Sequence, residues 1–384
     1  GIRRAAMGPQ IPTAGGRAVL CDCGANAECT PEYLLQFAYL GSYYAQRVMG
    51  IEKPRVGLLN IGAEEEKGDT LRHETYALLK EAGEAGRIHF IGNVEANEAM
   101  IKVARKYSFD KYGKGRSTIL TLNRSFHGRT ITTLTATGQE SYHNYFFPFN
   151  EAFRYADPTL ESIQAQAGDD VCAVMVELIQ GEGGVVPLDR EFVDAAARIC
   201  KERDILLMVD EVQTGIGRTG KLLCCEHYGI TPDLVSLAKG LGGGLPLGAV
   251  LFGEKCAHTL GAGDHATTFG GNPVACAGAL EVLGRIGEGL LQEVAEKGTY
   301  ITRAVEGMPH VVSVEGKGLM LGVTLEGVNS REAAAACLEN GLIILTAKAK
   351  LRMLPPLTIT YPEIDEGLKR LKEVLEHESS AETA

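Results

Sequence analysis

Two residues stand where chemistry would be done. Asp210 follows the apolar run 205–209, and Lys239 follows a second, mostly apolar run at 234–238, with Gly240 and Gly242 to Gly244 close behind. Short apolar runs of this kind read as strands buried on both faces. Open α/β sheets bind ligands beyond the carboxyl ends of their strands, so the pattern predicts an acid and an amine at one functional edge. A lysine amine acts as a nucleophile or carries a proton, and a carboxylate favours the protonated form of a nearby ring nitrogen. On residue type alone, Lys239 could equally be a surface lysine beside a flexible turn, and Asp210 a helix cap.

The elements that would position this pair alternate along the chain. Strands are predicted at 18–20, 55–61, 89–92, 249–252, 311–314 and 319–324. Helices are predicted at 30–48, 69–82, 191–202, 273–286, from 287 onward, at 330–340 and at 363–376. Thr30-Pro31-Glu32 is a good helix start, with a capping hydroxyl, a proline that loses nothing there and an acid in the first turn. In the last helix Ile364, Leu368, Leu371 and Leu375 line one face. Another helix opens at Ala96, with Met100, Val103, Ala104 and Tyr107 at helical spacing, and no Gly/Ser/Pro linker precedes it. Independent domains are usually separated by an exposed linker, so its absence suggests one domain cut into by another sequence.

Bulk properties narrow the class. The 384 residues are 45% hydrophobic, enough for two domains with real cores, and a soluble α/β enzyme is the default expectation. A formal charge of −11 argues against broad nucleic-acid or anionic-membrane binding. The ten cysteines form no CxxC pair and no His-Cys metal spacing, so no metal is expected and the thiols read as reduced and incidental. No apolar run approaches the ~20 residues needed to span a bilayer, and no signal peptide is visible; the cytoplasm is the expected compartment. The chain opens on Gly1 rather than Met, as a fragment or a processed product would.

Residues 1–95 resemble the middle of the bacterial phosphate acyltransferases of phospholipid synthesis. The resemblance rests on Gly24-Ala25-Asn26, Pro54-Arg55-Val56-Gly57, Gly62 and Lys67-Gly68 within the stretch from CDCGANAECTPEYL to HFIGNVE. It implies an α/β fragment lacking both ends of such an enzyme, with no acyltransferase activity expected. Read alone, Gly24, Gly62 and Gly68 are turn glycines.

From residue 96 to about 377 a second resemblance takes over. EANEAMIKVARKYS, SFHGRT, QGEGGVVPLDREF, DEVQTGIGRTG, LAKGLGGGLPLGA, TTFGGNP and RMLPPLTIT follow one another in order. They resemble the class III aminotransferases that use pyridoxal 5′-phosphate, in particular those of acetylornithine type. The fold implied is the type I pyridoxal-phosphate transferase: a large domain on a mostly parallel seven-stranded sheet with helices on both faces, a small C-terminal α+β domain, and a homodimer. The expected division is 1–95, 96–286 and 287–384.

That resemblance also assigns roles. Lys239 would hold the cofactor aldehyde and shuttle the proton, Asp210 would face the pyridine nitrogen, and Gln213 the phenolic oxygen. Val212 and Phe126 would cover the two ring faces, although an isolated phenylalanine is more often core. Thr268 would reach the phosphate from the neighbouring subunit. Arg352 would grip the substrate carboxylate and Glu182 would pair with Arg352 when no carboxylate is bound, so one pocket serves an amino donor with a side-chain amine and then 2-oxoglutarate. His127 stays unassigned between a structural and a catalytic role. The chain departs from the pattern at Leu178, where a proline is usual, and at Gly92-Asn93-Val94, where smaller residues usually cradle the phosphate. The implied activity is transamination of acetylornithine or a similar ω-amino donor in arginine biosynthesis; the alternatives are an inert scaffold of two truncated enzymes, or acyl phosphate synthesis from the N-terminal part.

A rival reading comes from Gly215-Ile216-Gly217-Arg218-Thr219-Gly220-Lys221, which satisfies GxGxxG and nearly satisfies a P-loop. A P-loop needs Ser or Thr after the lysine and finds Leu222. A dinucleotide turn needs the glycines directly after the strand and finds five residues between.

Overall fold

The computed structural model describes residues 10–13, 16–19, 21, 30–47, 51–52, 54–56, 70–84, 89–90, 96–261, 264–265, 271 and 273–381. In the N-terminal part, β1 (Gln10–Thr13) pairs antiparallel with β2 (Gly16–Val19). Helix α1 (Pro31–Arg47) begins where predicted, with the Tyr33 N–H donating to Thr30 Oγ1 at 3.4 Å. Strand β3 (Arg55–Val56), helix α2 (Thr70–Glu84) and strand β4 (His89–Phe90) follow, the two strands pairing in parallel. Leu79 and Ala82 of α2 are buried against Leu35, Ala38 and Tyr39 of α1. Most of the strand predicted at 55–61, together with Gly24, Gly62, Gly68 and the Asn93-Val94 departure, lies outside the described residues.

The next elements build one sheet between two layers of helix. In chain order they are α3 (Ala96–Tyr112), β5 (Thr118–Leu122), α4 (Ile131–Ala136), β6 (Phe153–Ala156), α5 (Leu160–Gln166) and β7 (Val171–Val176). A short hairpin of β8 (Ile179–Gln180) and β9 (Val186–Pro187) leads to α6 (Arg190–Glu202), β10 (Leu206–Asp210), α7 (Cys225–Tyr228), β11 (Leu234–Leu237) and β12 (Ala249–Phe252). The sheet order is β12-β11-β10-β7-β5-β6, parallel throughout except for β12. Six strands stand among the described residues where the family resemblance implies seven.

Alternation along the strands explains the layering, because successive side chains point to opposite faces. Ile119, Ala173, Met175, Leu206 and Met208 pack with Met100, Ile101, Val103 and Ala104 of α3. Leu120, Val174, Val176, Leu207 and Val209 pack instead with Phe192, Val193, Ala196 and Ile199 of α6. Each fully buried Val, Leu, Ile, Phe or Met among them contributes about 1.5–3 kcal/mol. Leu206→Ala, in the strand that ends at Asp210, would cost about 2–5 kcal/mol. The strand order reverses between β5 and β7, so the carboxyl ends of β5, β7, β10 and β11 border the crevice where such sheets bind ligands.

The C-terminal part contains α8 (Pro273–Arg285), α9 (Glu288–Glu306), β13 (Val311–Lys317), β14 (Met320–Leu325), α10 (Ser330–Glu339), β15 (Leu345–Ala347), β16 (Lys350–Met353) and α11 (Tyr361–Ala381). Its sheet, ordered β13-β14-β16-β15, is antiparallel. The predicted face of α11, Ile364, Leu368, Leu371 and Leu375, is buried against Val294 and Ile301 of α9, Val323 of β14 and Leu351 of β16. Asn329 caps α10 by accepting the Arg331 N–H at 2.9 Å. No helix among the described residues is long and apolar enough to cross a membrane.

Candidate active site

Asp210 is the last residue of β10 and is only 4% exposed. Its Oδ2 accepts hydrogen bonds from Asn97 Nδ2 at 2.7 Å and His127 Nδ1 at 2.8 Å. Its Oδ1 accepts the Val212 N–H at 3.0 Å, with Ser236 Oγ more distant at 3.5 Å. Asn97 links the set further, since its Nδ2 also donates to the His127 carbonyl at 2.7 Å and its Oδ1 accepts from Ser236 Oγ at 2.5 Å. Helix α3, the loop after β5, and strands β10 and β11 thus converge on one carboxylate. An ionised carboxylate has about four lone-pair sites, so Oδ1 keeps acceptor capacity for one further cationic N–H.

Lys239 opens a short 3₁₀ turn directly after β11. Its φ of 47° lies in the left-handed region, which costs a non-glycine residue about 1 kcal/mol or more and clusters at functional sites. Lys239 is exposed to solvent, while protein atoms crowd around its amine. Desolvation there lowers the amine's pKa, against the opposing pull of Asp210, Glu182 and Glu177. Glu177, just past β7, is buried at 3% exposure and accepts the Phe126 N–H at 2.7 Å and the Gly181 N–H at 3.2 Å. Burial first, and the Asp210 charge second, push its pKa well above the usual carboxylate range.

The second half of the site comes from further along the chain. Arg352 of β16 donates from Nη1 to Glu182 Oε1 at 2.6 Å, and Gln213 Nε2 donates to the same oxygen at 3.3 Å. Glu182 sits in the β8–β9 loop, and Arg352 pairs across the sheet with Gly322 of β14. A Cβ on Gly322 would lie 2.8 Å from Val185 Cβ, so only glycine lets the strand approach the loop closely enough for this pair. Burial raises the pKa of Glu182, but the Arg352 hydrogen bond and charge outweigh it and the net shift is downward. Arg352 Nε is buried and has no partner among the described residues. The Phe126 ring stands 5.4 Å from Tyr142 at 64°, with the Arg129 guanidinium 5.8 Å and 5.6 Å from the two ring centres.

Asp210, Val212, Gln213, Lys239, Phe126, Glu182 and Arg352 therefore come together, while Thr268 lies outside the described residues. Asn97 and Glu177 were not singled out from sequence. Glu177 follows the apolar run 171–176 as Asp210 follows its own, so the same rule would have found it. The glycine-spaced loop does not open a helix beside a nucleotide. The Gly217 N–H turns back to the Leu222 carbonyl at 3.2 Å, and the next helix, α7, begins only at Cys225.

The donor set suits the pyridoxal phosphate that the resemblance implies. It offers an amine with a lowered pKa for the aldehyde and a buried acid with acceptor capacity for the ring nitrogen. Comparisons with known proteins agree. The aminotransferase class-III family profile matches residues 73–375, and a profile described as fatty acid synthesis protein matches residues 1–105. The chain is thus chimeric in its matches, and the two share residues 73–105. An acetylornithine aminotransferase from Haemophilus ducreyi is 49% identical over 293 residues, 75% of either chain. Another, from Caldanaerobacter subterraneus subsp. tengcongensis, is 42% identical over 357 residues, covering 87% of this chain and 91% of its own. The ornithine aminotransferase of Toxoplasma gondii, solved with partial pyridoxal-phosphate occupancy of its active site, superposes with a TM-score of 0.71 at 29% identity, over 75% of this chain and 71% of that one. With the family profile matching well over half of its length, the chain belongs to the class III aminotransferases, and it is a pyridoxal-phosphate-dependent enzyme.

Proposed function

We propose that this aminotransferase takes the amino group of acetylornithine, or a similar ω-amino donor, and passes it to 2-oxoglutarate, a step of arginine biosynthesis, working as a homodimer. The observation that carries the reading is the Glu182–Arg352 pair at 2.6 Å, whose charges both act on the Lys239 amine. A guanidinium that is paired but keeps an unpartnered Nε can exchange its carboxylate for a substrate's. The relatives named acetylornithine aminotransferase support the choice of donor.

Pyridoxal phosphate, when bound, supplies an aldehyde for amino groups and a ring that delocalises the electron pair left at the reacting carbon. Lys239 is the residue that would hold the aldehyde, and its amine would carry the proton at the substrate carbon. Its lowered pKa keeps more of the amine neutral for both tasks. Asp210, fixed by Asn97 and His127, would keep the ring nitrogen in its protonated form. Gln213 would serve the phenolic oxygen, Phe126 and Val212 would cover the ring, and Thr268 would serve the phosphate. Arg352 orients the carboxylate of 2-oxoglutarate, and Glu182 neutralises Arg352 while the ω-amino donor occupies the pocket. The three-part division at residues 95 and 286 is part of the proposal. Comparing kcat/KM for acetylornithine, succinylornithine, ornithine and 4-aminobutyrate against 2-oxoglutarate tests the donor. Acetylornithine should rank first; a higher value for 4-aminobutyrate or ornithine would overturn the assignment.

A further inference from the structure

The loop from Gly215 to Gly220 takes no part in the proposed chemistry, yet it ties together the two halves of the site. It starts only two residues after Gln213. Within it, Arg218 Nη1 donates to the Leu319 carbonyl at 3.1 Å and to the Pro355 carbonyl, while the Arg218 carbonyl accepts the Leu319 N–H at 3.0 Å. Leu319 immediately precedes β14 and Pro355 lies two residues beyond β16, so Arg218 grips both strands at one end of the pair, three residues from Gly322 on one strand and three from Arg352 on the other. The backbones meet closely as well. Gly318 adopts φ 54°, and a Cβ there would stand 2.5 Å from the Thr219 carbonyl carbon. Arg218 has no ion pair among the described residues, and its partners are carbonyls. Arg218 is half-buried, and a cation partly withdrawn from water with only carbonyls for partners is a poor device for stability alone.

We propose that Arg218 is a positioning residue: it sets Arg352 relative to Asp210 and Lys239, and so governs affinity for substrate carboxylates. The inference rests on the assignment of Arg352 to the carboxylate. A displacement of about 1 Å in a positioning group costs up to ~10²-fold, which sets the scale of the effect.

The test uses the cofactor-loaded enzyme and the variants Arg218→Met, Arg218→Lys, Gly318→Ala, Arg352→Met and the double variant Arg218→Met/Arg352→Met. Arg218→Met and Gly318→Ala should raise KM for 2-oxoglutarate about 10- to 100-fold, with kcat for an amine lacking a carboxylate and the absorbance on cofactor binding unchanged. Arg218→Lys, which keeps a cation and a donor, should recover part of the loss. The double variant should be no worse than Arg352→Met alone, because the two residues act through one contact. Glutarate should raise the Tm of the wild type and not that of Arg218→Met. If Arg352→Met leaves KM for 2-oxoglutarate unchanged, the assignment of Arg352 fails. If Arg352→Met raises it and neither Arg218→Met nor Gly318→Ala does, or the losses in the double variant add, the coupling is overturned. Should Arg218→Met not fold, Gly318→Ala and Arg218→Lys decide by the same readings.

Discussion

Asp210, buried, and Arg352, partly buried, are both charges carried on strands, but their partners differ in kind. Asp210 receives two side chains and a backbone N–H from three separate elements, all of them neutral donors or a histidine. Arg352 has one ionic partner, Glu182, which Gln213 shares, and its Nε is left over. Asp210 lies at the end of a strand buried in a six-stranded sheet, whereas Glu182 lies in a loop. A group that stays bound through the cycle favours the first arrangement, since rigid complementary donors cost no reorganisation. Substrates that come and go favour the second, because the protein supplies a stand-in carboxylate for Arg352 and removes it again.

Substitutions can break this contrast from either side. Asp210→Asn removes the charge and leaves its donors with a weaker acceptor; turnover should fall roughly 10²- to 10³-fold, with weaker retention of pyridoxal phosphate on dialysis. Arg352→Met should spare cofactor retention and raise KM for 2-oxoglutarate about 10²-fold. If the two variants lost cofactor equally, the division into a fixed and an exchangeable half would be wrong. Glu182→Gln should have a smaller effect, shifting the ratio of kcat/KM for acetylornithine over glutamate about tenfold toward glutamate.

The pH dependence of the same variant sharpens the point. The pKa of Glu182 is lowered in the fold, so its stabilising contribution is present above its ordinary value of 4.5 and is lost as pH falls through the folded value below that. The stability difference between wild type and Glu182→Gln, about 1 kcal/mol near neutral pH, should vanish on acidification in thermal melts. A difference that stayed constant down to low pH would mean that Glu182 acts through packing rather than charge.

Much of the architecture was legible because local rules carry it. The runs before Asp210 and Lys239, the cap at Thr30 and the buried face of α11 are each set by neighbours within a few residues. Strands β5 and β7 went unpredicted: β5 is a five-residue stretch of mixed threonine and aliphatic residues and β7 six apolar residues in a row, and neither shows a period that separates strand from helix. Of the pairings that make the site, Glu182 with Arg352 came only from the family resemblance, and Asn97 with Asp210 was not read at all. Asn97 reaches Asp210 across 113 residues and Glu182 reaches Arg352 across 170, distances over which only tertiary packing decides. The nucleotide reading of the glycine-spaced loop, set aside on the sequence, finds its replacement only in tertiary packing: Gly217 and Gly220 lie close to Leu291 and Ala295 of α9, remote in sequence.

The central claim, that Lys239 and Asp210 form a working cofactor site, is tested most directly by titrating pyridoxal phosphate into the purified chain and recording visible absorbance. The wild type should develop a saturable band that acetylornithine removes and 2-oxoglutarate restores, and Lys239→Ala should develop none, with turnover lower by about 10³-fold or more. A wild-type chain without the band, or a Lys239→Ala variant that keeps it, would contradict the account.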